Sequence, residues 1–90
     1  MSKLNDILDI PNSYLGRIPQ ISIVGFEEIL IENYNSILEY ENFFVRVNTY
    51  IGNININGFN LTLTQINEYD ILIKGKISSL DFERVKKNDI

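Results

Sequence analysis

The segment Ile54-Asn55-Ile56-Asn57-Gly58-Phe59-Asn60-Leu61-Thr62-Leu63-Thr64 constrains this chain more than any other. Two short runs alternate apolar and polar residues, first Ile54 and Ile56, then Leu61 and Leu63. A period of two marks a strand with one buried and one wet face. Asn57-Gly58 lies between the runs, and this dipeptide favours the tight turn of a β-hairpin, because Gly accepts positive φ and Asn tolerates it. The apolar phase is even before the pair and odd after it. A turn over 57–60 would absorb the switch and leave both strands facing one core.

The rest of the chain repeats this design. Ile18-Pro19 forces an extended entry into Gln20 to Val24, where Ile21 and Ile23 point inward. A break at Gly25-Phe26 leads to Glu27 to Asn33, with Ile29 and Ile31 inward. Tyr34-Asn35-Ser36 is a turn by composition. Ile37 to Tyr40 and Phe43 to Asn48 follow as strands, the second with Phe43, Val45 and Val47 in phase. After a polar loop over 65–69, Ile71, Ile73, Gly75 and Ile77 keep one phase through the glycine. That pattern makes Gly75 a bulge or a close backbone approach rather than a turn. Leu80 and Phe82 close the last strand at shifted phase.

Turn signals every six to ten residues or so predict seven to eight short, mainly antiparallel strands in a small all-β sandwich or roll. A short β-solenoid is the alternative, since Gly25, Asn42, Gly58 and Gly75 recur about every 17 residues. Three parts are expected: a helix and linker over 1–17, a β domain over 18–83 and a basic tail over 84–90. The helix spans Lys3 to Ile10, with Leu4, Ile7 and Leu8 on one face, Ser2 as cap and Pro11 as stop. Two turns are not stable alone, so the segment either docks on the domain or waits for a partner.

Ninety residues make one domain with a thin stability margin. The chain has no Cys and no His. Disulfides, thiolate metal sites and the usual general base are therefore missing. The net charge is −4, and phosphate backbones require a basic footprint, so no nucleic-acid partner is expected. No apolar run approaches the roughly 20 residues of a membrane helix and no signal peptide is visible, so no direct membrane insertion is expected. Isoleucine and asparagine are both abundant. The asparagine excess fits an AT-rich genome better than a chemical role.

Candidate chemistry is sparse. Glu27 and Glu28 are adjacent on a strand and point to opposite faces, so they do not form a catalytic pair. Glu39, Glu41 and Asn42 are too few for a calcium site. Asn60-Leu61-Thr62 fits a glycosylation sequon by chance. Lys74 and Lys76 flank Gly75 and read as edge-strand charges that discourage aggregation. No catalytic residue, cofactor or metal is expected, and the chain is read as a non-enzyme. The less ordinary feature is apolar residues on faces that alternation makes wet: Leu30, Leu38, Tyr40, Phe44 and Leu72. They are either a second core layer or an exposed patch that marks a protein interface. Leu30, Tyr40, Phe44 and Leu72 are the interface candidates, with a homo-oligomer among the outcomes; Gly25, Asn57, Gly58 and Gly75 are the structural turn positions.

An ordered series of short motifs resembles the YabP/YqfC family of bacterial sporulation proteins. The series is Ile18-Pro19-Gln20-Ile21, Val24-Gly25, Leu30-Ile31-Glu32-Asn33-Tyr34, Ile37-Leu38-Glu39-Tyr40, Val45-Arg46-Val47-Asn48-Thr49, Ile56-Asn57-Gly58, Leu61-Thr62-Leu63 and Ile71-Leu72-Ile73-Lys74-Gly75-Lys76-Ile77. The Ile-Glu-Asn-Tyr segment and the helix-proline lead-in are similar to the YqfC branch. Tyr50-Ile51-Gly52-Asn53 departs from the plain polar turn that the family more often has. The resemblance implies a structural or assembly factor of endospore formation, without catalysis, in the mother-cell cytoplasm and peripheral at the forespore membrane. It also implies a YqfD-type sporulation membrane protein as partner. The other function class is a small-ligand-binding or enzymatic β-barrel, which a closed apolar pocket with convergent polar groups would favour.

Overall fold

The computed structural model describes residues 18–85. Their strands are β1 (Gln20–Val24), β2 (Glu28–Glu32), β3 (Tyr34–Glu41), β4 (Phe44–Thr49), β5 (Gly52–Ile66) and β6 (Asp70–Arg84). All pairings are antiparallel, in one open sheet of order β1-β2-β6-β5-β4-β3. The all-β expectation holds. The β-solenoid does not, because its rungs would pair in parallel. Six strands stand where seven to eight were expected, because both long strands, β5 and β6, absorb segments read as separate. The expected helix over 3–10 lies outside the described residues. β6 runs through Arg84, one residue into the segment read as the tail.

The main correction concerns Asn57-Gly58. No hairpin forms there. Both residues lie within β5, whose two halves pair with β6 instead of with each other: Ile54↔Phe82 and Ile56↔Leu80 in one half, Thr62↔Lys74 and Leu63↔Ile73 in the other. One long ladder satisfies more backbone groups than a short isolated hairpin. The phase switch is real, but bulges produce it. The register slips between Asn57 and Gly58 and again between Phe59 and Thr62, where β5 carries an extra residue. Asn60, at φ 54°, is the left-handed residue of this stretch. Gly58 serves close approach: a β-carbon there would overlap the Lys76 carbonyl. Across the ladder Gly75, at φ 142°, lies against the backbone of Asn60 and Leu61.

These irregularities bend β5 and β6 midway, and the sheet folds over its own apolar face. One layer holds β1, β2, 70–74 of β6 and 62–66 of β5. The other holds 76–84 of β6, 52–59 of β5, β4 and β3. Ile29, Ile31, Ile71 and Ile73 from the first layer form one buried cluster with Val45, Val47, Ile54 and Ile56 from the second, and Leu61 joins it at the bend. Ile21, Tyr34, Ile37, Leu63, Ile77 and Leu80 pack around it. Burial of these core residues on one sheet face requires a cover, and the fold supplies that cover from the sheet itself.

Short connections fix this path. Gly25, at φ 58°, turns β1 into β2, and the Glu27 amide donates to the Val24 carbonyl at 3.2 Å. Asn33, at φ 65°, carries the chain from one layer to the other in a single residue. The amides of Asn33 and Tyr34 both donate to the Tyr69 carbonyl, at 2.7 and 3.2 Å. The Asn33 side chain also donates to the Ile18 carbonyl at 3.1 Å. At the β4–β5 turn the buried Thr49 hydroxyl donates to the Gly52 carbonyl at 2.7 Å and accepts from the Ile51 amide. Asn67 closes the β5–β6 loop by accepting from the Asp70 amide at 2.9 Å. The molecule thus has a bend end, at 25–27, 42–43, 58–61 and 75–77, and an open end, at 18–21, 33, 49–53, 66–70 and 82–85.

Candidate contact surfaces

The outer face of the second layer is polar and continuous. Asn48, Asn53, Asn55 and Asn57 alternate with core residues on β4 and β5, so their amides share that face. Asn35 donates to Asn48 at 2.7 Å, and Asn48 donates to Asn53 at 2.8 Å. Asn53 and Asn55 then donate to the two Glu83 oxygens at 3.1 and 3.0 Å. Arg46 reaches the same carboxylate at 2.6 Å, and Asn57 donates to Ser79 at 3.1 Å. The hydrogen bonds from Asn55, then Asn53, then Arg46 hold the Glu83 carboxyl below the usual carboxylate range, while desolvation opposes them. The asparagines therefore have a structural use beyond genome composition. Their signal was the strict spacing of 53, 55 and 57 beside Arg46 and Asn48.

The four interface candidates do not gather on one face. Leu30 and Leu72 are cross-strand partners on the outer face of the first layer, both half-buried. Charged pairs fence them, Glu28↔Lys74 on one side and Glu32↔Asp70 on the other. Phe44 is half-buried on the outer face of the second layer, opposite Asn57. Tyr40 is 47% exposed. A bulge between Ile37 and Glu39 shifts the phase of β3, so Tyr40 pairs with Val45, and its hydroxyl donates to the Leu61 carbonyl at 3.3 Å. Leu38, beside that bulge, is exposed.

A second group sits at the bend end and escaped the alternation argument. Phe26, in the β1–β2 turn, is 80% exposed, Phe43, in the β3–β4 turn, 57% and Phe59, in the β5 bulge, 63%. Their backbones are neighbours. The Gly58 amide donates to the Phe43 carbonyl at 3.1 Å, Phe59 pairs with Lys76 across the ladder, and the Ile77 amide donates to the Phe26 carbonyl at 2.8 Å. Phe43 was expected inward, in phase with Val45 and Val47, but it lies just before β4, in the turn. Turn positions leave a ring without a strand face to follow, so periodicity carries no information there. What marked the three in the sequence was a Phe beside a Gly or Asn at each break.

Lys74 faces Glu28, with nitrogen and oxygen 3.7 Å apart, so it is an ion-paired strand lysine. No three acidic side chains among the described residues come together as a metal set. No helix among them is long and apolar enough to cross a membrane.

No curated protein and no solved structure matches the chain. The model of the YabP family does match, over residues 17–89. That span covers the whole folded sheet, from Pro19 at its entry through the end of β6. The chain belongs to the YabP family.

Proposed function

We propose that this protein is a non-enzymatic factor of endospore formation, of the YqfC-like branch, that acts by binding another protein. The observation that carries the contact role is the row of exposed phenylalanines at the bend end. Three aromatic rings in water on neighbouring backbones are a cost that a monomer avoids, and aromatic anchors dominate protein interfaces. The sporulation role rests on family membership. The proposed partner is a YqfD-type sporulation membrane protein, met by a soluble, peripheral domain in the mother cell. Open sheet edges at β1 and β3 favour a contact role over a closed ligand barrel.

The small-ligand reading has one supporting observation, an apolar groove of about 440 Å3 at the open end, a size that fits a small molecule. The groove opens between the layers, and of its polar lining the Thr49, Asn53 and Glu83 side chains already bond within the protein, Thr49 to the Gly52 carbonyl and Asn53 to Glu83. Deletion of the gene in its host, scored as heat-resistant spores after complementation, tests the proposal. A loss restored by the wild-type gene supports it; normal spore yield in the deletion strain would sink it.

A further inference from the structure

β1 is an edge of the sheet, and among the described residues it pairs only with β2. The Val24 carbonyl accepts from the Glu27 amide across the turn, and the Glu27 carbonyl accepts from the Gly75 amide of β6. Backbone groups of successive residues alternate between the two sides of a strand. Glu28 therefore turns its groups toward Val24, and Gln20, Ser22 and Val24 turn theirs toward β2. Ile21 and Ile23 are left with their N–H and C=O groups directed outward.

The side chains of β1 show the same want of a neighbour. Ile21 and Ile23 lie opposite Ile31 and Ile29, so both sit on the core side of the first layer. Ile29 is fully buried, yet Ile23 beside it is 50% exposed. Ser22 and Val24 are exposed on the outer face. The other edge, β3, is guarded, because its register slips twice and it carries the exposed Glu39 and Glu41. β1 has an unbroken register and no charged residue. Pro19 and Gly25 bound it, so the open ladder is Gln20–Val24.

This short ladder is complementary to itself. In an antiparallel copy turned about Ser22, Ile21 of each chain lies opposite Ile23 of the other. Both residues direct their backbone groups outward, so each such pair exchanges both of its hydrogen bonds. Ser22 meets its own counterpart at the twofold axis, in a non-hydrogen-bonded pair. No like charges meet, and each exposed Ile23 gains an isoleucine beside it. The contact is isologous, as a C2 dimer requires.

We propose that β1 pairs with β1 of a second copy of this chain, antiparallel and centred on Ser22, so that two folded sheets join into one. Opposed strand directions then point the bend ends of the two copies in opposite directions.

The test uses the full-length protein. Sedimentation equilibrium over a concentration series reaching the millimolar range should show monomer and dimer. Ser22→Lys and Ser22→Glu each set like charges against each other at the axis, from an exposed position. Each alone should weaken the dimer about tenfold or more, and mixing the two should restore it as a heterodimer. Circular dichroism checks that both variants fold. The chain has no Cys, so Ser22→Cys adds a single thiol. The Cα separation of a non-hydrogen-bonded pair, about 4.5 Å, admits a disulfide. Under mild oxidation Ser22→Cys should crosslink with itself, whereas Gln20→Cys should crosslink only when mixed with Val24→Cys. Amide exchange at Ile21 and Ile23 should slow as concentration rises. A monomer at every concentration overturns the proposal, and so does a dimer that both folded charge variants leave intact. Crosslinking of Gln20→Cys alone as fast as Ser22→Cys contradicts the register and overturns it equally. So does full protection of the Ile21 and Ile23 amides in the dilute monomer, which would place a segment of the same chain on the edge.

Discussion

Gly75 and Asn60 interlock at the bend: a β-carbon on Gly75 would stand 2.6 Å from the Asn60 carbonyl oxygen. Gly75 is at φ 142° and Asn60 at φ 54°, so both depart from strand geometry where the sheet folds over. A side chain at Gly75 meets two penalties, backbone strain and overlap with another backbone. Gly75→Ala should therefore destabilise the domain by about 2 kcal/mol or more. Gly25 is also at positive φ, but with open space around it. Gly25→Asn should cost less than about 1 kcal/mol, because Asn adopts the left-handed region readily. Chemical denaturation of the two variants gives the comparison; equal losses would contradict the interlock.

Gly58 separates the two accounts of its own neighbourhood. In an Asn-Gly turn an asparagine at 58 would be tolerated. In β5 any β-carbon meets the Lys76 carbonyl, so Gly58→Asn should cost as much as Gly58→Ala, about 1–3 kcal/mol. A melting temperature for Gly58→Asn close to wild type, with Gly58→Ala well below it, would restore the hairpin.

The inward phase at 29, 31, 45, 47, 54, 56, 71 and 73 was legible because alternation reports burial on a strand directly, and all eight residues are buried. Gly75 as a close approach was legible for the same reason, since the phase ran through it. The bend was not. Bulges move a strand's phase by one residue, and a turn does the same, so the switch between Ile56 and Leu61 fits either. Local turn chemistry favoured Asn57-Gly58, and the long pairing with β6 outweighed it. The same kind of slip in β3 shifts the phase at Tyr40, which pairs with Val45 and stays exposed. The phenylalanines at the bend sit in turns and a bulge, where no period operates. The Glu83 hub was illegible because Asn53 and Asn55 from β5 and Arg46 from β4 converge on a residue of β6 that is 28 to 37 positions away.

Glu83 should make stability fall in acid. Its carboxyl titrates below the ordinary value because Asn55, Asn53 and Arg46 hold the ionised form. A depressed folded-state value means that the contribution is complete above the unfolded-chain value, about 4.3, and is lost as pH falls through the folded-state value. Glu83→Gln removes that dependence. The melting temperature of the wild type should drop more steeply than that of Glu83→Gln between about pH 5 and pH 3. Parallel curves would mean that the hub does not bias Glu83 ionisation.

Leu30, Leu72 and Phe44 face away from the core, so Leu30→Ser and Phe44→Ser should leave the domain folded by circular dichroism. Light scattering of the double variant then reads self-association. A lower mass than wild type would place these side chains between copies. An unchanged oligomer would remove them from the self-contact, and unfolding would show that the outer face supports the sheet.

The central claim is that the bend end is a protein-binding surface used in sporulation. The most direct measurement replaces the gene with one encoding Phe26→Ser, Phe43→Ser and Phe59→Ser and counts heat-resistant spores. These three rings are exposed, so the purified variant should keep wild-type circular dichroism and melting behaviour. The account predicts a folded protein, present at normal levels, with spore yield reduced to that of the deletion strain. A folded, normally abundant variant that restores wild-type spore yield would contradict it.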